Sequence, residues 1–207
     1  MGWFFSEEAS EQLAKHSDDV AKGLEETAEN AKKTVREVEY GEQFTKGVNG
    51  RKELLPNVQY VTENGYRYTT DEFGHISRVE VDDLVLKKGK RNAHSQRVAG
   101  REYRITEAEL WEGLDDGGHL IGTQFNGPGA LDNVIAMNRE INRSGGAWYN
   151  MEEEWANALK EVPPRKVTVD IKPVYSGKSL RPDSFDVIYK IEGESLEIRS
   201  IKNQIGG

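Results

Sequence analysis

The chain reads as an α+β protein built on an antiparallel sheet, with a helical segment ahead of it. Three observations lead there. Residues 6–39 carry a helical stripe. From Leu54 onward, apolar and polar residues alternate in short runs split by turn residues. A segment of helical period, Met151–Leu159, lies between two such strand-rich regions. Strands in runs, instead of strands alternating with helices, argue for an antiparallel sheet.

The elements follow in order. In residues 6–39, Leu13, Val20, Leu24, Ala31, Val35 and Val38 fall three, four or seven apart and line one stripe. Ser6 with Glu7 and Glu8 suits the start, where acids meet the positive end of the dipole. Gly41, Gly47 and Gly50 break the pattern, and a boundary is expected within residues 41–55, giving a helical segment 1–50 and a domain 51–207. Val58–Val61 and Tyr66–Thr69 flank Asn64-Gly65, the signature of a hairpin with a tight type I′ turn. A further turn at Asp71–Gly74 leads into Ile76–Val81. Thr106–Leu114 reads as a short helix with Thr106 as cap and Glu109 in the capping-box position. Alternation returns at Val167–Ile171, Phe185–Ile191 and Leu196–Ile198, punctuated by Pro163-Pro164 and Arg181-Pro182-Asp183.

Composition narrows the function classes. The 207 residues suffice for one good core. With 36% hydrophobic and 31% charged residues, no apolar run approaches the roughly 18 that a membrane-spanning helix needs. Met1–Phe5 is too short for a signal-peptide core and runs into acids, so any export is expected to proceed without a cleaved signal. The absence of cysteine excludes disulfides, thiolate metal sites and cysteine nucleophiles. A net charge of −8 argues against simple electrostatic binding of nucleic acid, unless charge is segregated or a bound cation inverts the local sign. The densest basic stretch is Lys87-Lys88-Gly89-Lys90-Arg91, continuing through Arg97, Arg101 and Arg104; a solvated loop is the alternative reading.

The chemistry concentrates between Asp115 and Trp155. His119 follows Gly117 and Gly118, which permit close backbone approach, and a neutral imidazole near neutral pH is the usual general base. A lone histidine beside Leu120-Ile121 also suits a structural role. Asn142 offers an amide oxygen to a hard cation that keeps most of its waters, and a turn asparagine is the bland alternative. Trp148, Met151 and Trp155 form the buried face of the helix; Glu152 lies close enough to that face to turn inward, whereas Glu153 and Glu154 are expected to face solvent. Asn133 is read as a support that caps a segment or buttresses the histidine.

Together, Asp-x-Gly-His, an Asn, a second Asn nine residues on, and Gly-Ala-Trp with a Glu four beyond the Trp resemble the DNA/RNA non-specific endonucleases of the ββα-metal (His-Me finger) class. Asp-Asp-Gly-Gly-His-Leu-Ile, Asn-Gly-x-Gly and Met-Glu-x-x-Trp-x-x-Ala-Leu, with a strand-rich tail carrying Arg-Pro, resemble the toxin-type nuclease domains of LXG and related type VII-secreted bacterial toxins. The resemblance covers about residues 57–203. It implies a ββα-metal core, His119 as general base, Asn142 as ligand of one Mg²⁺ or other divalent cation, Glu152 on metal-bound water, and Asn133 positioning the histidine or its substrate. It also implies a nucleic-acid substrate, DNA or RNA, and an immunity protein covering a basic cleft. Secretion would occur without a cleaved signal, with action in the target-cell cytoplasm. The chain is then expected to be a toxin piece with part of its linker, or a small stand-alone protein.

Two departures stand out. Gly117 occupies a position where many relatives carry arginine, so cationic help must come from elsewhere; Arg101 and Arg97 are the candidates, with Lys90 and Arg91 as further phosphate contacts. The spacing from Asn142 to Trp148 is two residues longer than in many relatives, which bears on the assignment of Glu152. Two competing readings remain: a catalytically inactive nuclease-fold module that docks a partner protein, and a phosphoester hydrolase for a small substrate.

Overall fold

A computed structural model describes residues 35–47, 50, 52–89, 92–102 and 115–207. The chain divides into two units, Met1–Arg36 and Glu37–Gly207. The second begins ahead of the glycine-rich stretch where the sequence places its boundary. Most of the N-terminal helix, and all of the helix expected at 106–114, lie outside the described residues. At the helix's expected end the structure differs: Arg36–Glu37 forms a short strand, β1. The reason is local, since the Val38 amide donates to the Gln59 carbonyl at 2.9 Å and Val38 packs against the core.

Seven strands make the main sheet: β1, β4 (Val58–Val61), β5 (Arg67–Thr70), β6 (Ile76–Val81), β9 (Val167–Val174), β10 (Ser184–Ile191) and β11 (Leu196–Lys202), in that spatial order. Every pairing from β4 to β11 is antiparallel. The register sets Tyr60, Tyr68, Val79, Ile171 and Val187 in one row, all of them buried. This row is what alternation in the sequence encodes, because side chains of one strand face share a period of two. The Asn64-Gly65 hairpin forms, but with a longer loop than a two-residue turn. Gly65 takes φ +82° and its amide donates to the Thr62 carbonyl, while the Asn64 side chain donates to the Asn126 backbone carbonyl and accepts from the Asn126 side chain.

Helix α3 (Ala147–Lys160) covers the buried face of the sheet. Trp148 meets Phe185 edge-on with ring centroids 4.9 Å apart, and Trp155 meets Tyr189 at 5.6 Å. Each tryptophan removes roughly 150–250 Å² from water, on the order of 4–6 kcal/mol as an upper bound. Glu154 is not simply solvated: it accepts from the Tyr189 hydroxyl and pairs with Arg199, tying the helix to β10 and β11.

Two smaller ribbons are also present among the described residues. β2 (Phe44–Lys46) pairs with β3 (Lys52–Leu54). β7 (Asp115–His119) pairs with β8 (Val134–Asn138), and helix α2 (Arg139–Asn142) follows at once, its first turn capped by the Asn138 side chain. Helix α1 (Ala93–Glu102) packs on β7.

Candidate active site

The site is built on the β7–β8–α2 finger. His119 is the last residue of β7, opposite Val134. The chain then turns sharply, and Asn133 holds the turn. Its amide nitrogen donates to the Ile121 and Pro128 carbonyls at 2.8 Å each. Its oxygen accepts from the Ile121 amide and the Tyr68 hydroxyl at 2.9 Å each. Its backbone carbonyl accepts from Leu120 as well. Asn133 is wholly buried, so it acts on the backbone behind His119 and cannot touch a substrate. Glu152 reaches inward from α3 to the same turn, where its Oε1 accepts from the Gly122 amide at 2.9 Å. A Cβ at position 122 would lie 2.5 Å from that oxygen.

Asn142, the last residue of α2, lines an open polar cleft of about 400 Å³ together with Asp116, Gly117 and, from α1, Ala93, Gln96 and Arg97. Its amide nitrogen donates to Asp116 Oδ2 at 3.3 Å. The same carboxylate takes two bonds from Arg143, at 2.8 and 2.7 Å. Burial alone would raise the Asp116 carboxyl; the bonds from Arg143 and Asn142 and the nearby Arg139 charge outweigh it and hold it below the ordinary range. His119 shares a strand face with Gly117, two residues or about 7 Å further along β7. His119 is not among the described residues that line the cleft that holds Asn142, and Glu152 stands behind the turn that follows His119.

Gly117 and Gly118 are required by packing. A Cβ at Gly117 would lie 2.2 Å from the Gln96 carbonyl oxygen, and one at Gly118 2.6 Å from Met137 Cβ. Asp115 plays no part in the cleft. It forms a buried bidentate pair with Arg181, whose guanidinium also donates to the Asn203 carbonyl. The Asn203 side chain then bonds to Ala136, Asn138 and Pro182. This staple fastens the finger to the C-terminal tail.

Of the basic residues singled out in the sequence, Arg97 lies at the cleft. Lys90, Arg91 and the Arg101 side chain lie outside the described residues. Helix α1 is an element that the sequence reading missed, having left it in a basic loop. Asn92 was its signal, because its side chain accepts from the His94 and Ser95 amides as an N-cap does.

The donor set suits a hydrated cation better than a closed cage. Among the described residues, no three His, Asp or Glu side chains converge. Asn142, which lines the cleft, carries an amide oxygen, a hard donor of the kind that Mg²⁺ accepts while keeping its waters.

A family model described as DNA/RNA non-specific endonuclease matches residues 56–193. The chain is 42% identical over 173 residues to the type VII secretion system protein EssD of Staphylococcus aureus strain USA300, and equally so to that of strain NCTC 8325 / PS 47. Each match covers 81% of this chain and 26% of the relative, so the chain spans about a quarter of the length of these curated relatives. A solved structure of Sda1 nuclease with bound zinc ion is 28% identical, with a TM-score of 0.39, over 45% of this chain and 40% of that one.

Proposed function

The chain belongs to the DNA/RNA non-specific endonuclease family, and from that membership we propose that it is a metal-dependent endonuclease hydrolysing phosphodiester bonds of DNA, with RNA as a second substrate. The observation that carries this reading is the finger itself: His119 ends β7, and Asn142 ends α2 in a cleft shared with Arg97.

In this reading His119 takes the proton from a water that attacks phosphorus in line. The new P–O bond forms as the bond to the 3′ oxygen breaks. Asn142 would hold Mg²⁺ or another divalent cation, with Glu152 on metal-bound water; the cation when bound neutralises charge on the phosphate. Asn133 keeps the backbone after His119 in place. Arg97, Arg101, Lys90 and Arg91 supply positive charge toward the phosphates.

The likeness to type VII secretion proteins supports a further step. The domain serves as the C-terminal toxin of a bacterial secreted protein, exported without a cleaved signal and active in the target-cell cytoplasm. A cognate immunity protein would cover the cleft before release.

The test is cleavage of supercoiled plasmid and of total RNA, with Mg²⁺ and with EDTA, by the wild type and by His119→Ala. Metal-dependent degradation that disappears in a folded His119→Ala is expected. Full activity in that variant refutes the assignment of the base. Intact substrates with folded, partner-free wild type would favour the inactive docking module instead.

A further inference from the structure

β11 ends the main sheet: among the described residues, β10 is its neighbouring strand. An outer strand turns one row of backbone N–H and C=O groups away from the sheet, and such a row is a template for another strand. Two bonds just past the strand ends show which residues carry it. The Glu192 amide donates to the Lys166 carbonyl, and the Asn203 amide to the Asp183 carbonyl. Each joins residues that stand opposite when the β9–β10 and β10–β11 registers are continued by one residue. Bonded pairs alternate along an antiparallel ladder. Odd-numbered residues of β11 therefore bond to β10, and Leu196, Ile198 and Ser200 turn their N–H and C=O groups outward. Among the described residues, these groups have no other backbone partner. No bulge or proline blunts the edge, and Leu196 and Ile198 are 56% and 72% exposed.

The residues of β11 indicate what the other strand is. A two-fold axis at a sheet edge pairs the strand with itself, antiparallel. With Ile198 opposite its own copy, Leu196 stands opposite Ser200 of the second copy, and every outward N–H and C=O from Leu196 to Ser200 finds a partner. In that register Glu197 faces Arg199 of the second copy, and Arg199 faces its Glu197. Glu194 faces its Lys202, and Leu196 and Ile198 meet their copies on the exposed face. Sliding by two residues, the smallest step that keeps the outward rows matched, sets Glu197 against Glu197 or Arg199 against Arg199. Opposite charges directly across a ladder stabilise it and like charges destabilise it, so charge selects the register centred on Ile198. Arg199 is already held in place. Its Nη2 bonds to Glu154 at 3.0 and 2.8 Å, and its guanidinium lies 5.2 Å from the Tyr189 ring centroid. Both bonds use Nη2, so the guanidinium keeps N–H donors for a second carboxylate.

We propose that the chain pairs with a second copy of itself through β11, antiparallel and centred on Ile198, joining two main sheets into one. The pairing uses none of the cleft residues and does not depend on the nuclease reading.

The experiment is sedimentation equilibrium of the whole chain, from micromolar to submillimolar concentration. Wild type should pass from one copy to two as concentration rises. Ile198→Lys and Ile198→Glu each set like charges at the centre, and each should weaken the dimer about tenfold or more. Mixed in equal amounts, the two variants set opposite charges there and should form a one-to-one pair. Position 198 is exposed, so melting temperature and tryptophan fluorescence should stay as in wild type. Hydrogen exchange in wild type gives a readout that needs no variant: the Leu196, Ile198 and Ser200 amides should exchange more slowly as concentration rises. Wild type that stays a single copy or grows past two copies overturns the proposal. So do variants that pair as tightly as wild type, a mixture that forms no pair, or edge amides whose exchange ignores concentration.

Discussion

Replacing Arg181 by methionine should unfold the finger from its far end. The Arg181 and Asp115 side chains are 10% and 5% exposed, and their bonds are 2.7 and 3.0 Å long. Arg181 also donates to the Asn203 carbonyl at 2.6 Å. Methionine fills much of the space but leaves Asp115 as an uncompensated buried charge at the first residue of β7. Breaking such a pair from one side costs about 3–5 kcal/mol. Against a total stability of roughly 5–15 kcal/mol, that is a large fraction. At about 2–4 °C per kcal/mol for a unit of this size, the melting temperature should fall by roughly 6–20 °C. The double variant Asp115→Leu/Arg181→Met removes both charges and should regain much of the loss, because two apolar groups replace the pair. Urea unfolding followed by tryptophan fluorescence reads both, since Trp148 and Trp155 are fully buried in the core. A loss below about 1 kcal/mol in Arg181→Met, or a double variant no more stable than the single, would refute the argument that an unpaired Asp115 carries the cost.

The sequence made the main sheet legible because its signal is local. Val58–Val61, Val167–Ile171 and Phe185–Ile191 alternate visibly, and Trp148, Met151 and Trp155 mark one helix face. The finger was less legible, for a physical reason. β7 is Asp-Asp-Gly-Gly-His, a run with little intrinsic strand preference. It is held by partners distant in sequence: Arg181 on Asp115, Gln96 against Gly117, and Met137 against Gly118. Helix α1 hid for a related reason, since the residues it buries among those described, Ser95 and Ala99, are small and make no apolar stripe. The chemistry-bearing residues could be picked out by their order, but the cleft that Asn142 shares with Arg97 needs α1 against β7, and only the folded chain shows that. Gln43 is the extreme case. Nothing in the sequence marks it, yet it is almost wholly buried and its amide bonds to Asp132 at 2.9 Å, beside Asn133.

Two further perturbations test these contacts. Gly117→Ala should cost about 1–3 kcal/mol and lower the rate of cleavage, because α1 must move away from β7 to admit the methyl group. A variant that melts with the wild type and cleaves at full rate would show that the close approach is dispensable. Gln43→Ala should destabilise by about 1.5–3 kcal/mol at neutral pH, the value of a hydrogen bond to a buried charged group, and this loss should depend on pH with a definite sign. Burial pushes the Asp132 carboxyl up, while the Gln43 amide and then the Lys52 charge pull it down. A carboxyl raised on folding holds its proton longer in the native state than in the unfolded one. It therefore costs no stability below the unfolded value and costs progressively more as pH rises toward the folded one. Without Gln43 the carboxyl rises further, so the deficit should be greatest at neutral pH and shrink as Asp132 is protonated in acid. Parallel stability curves for the two proteins would sink this account of the contact, since a loss of packing alone does not follow the proton.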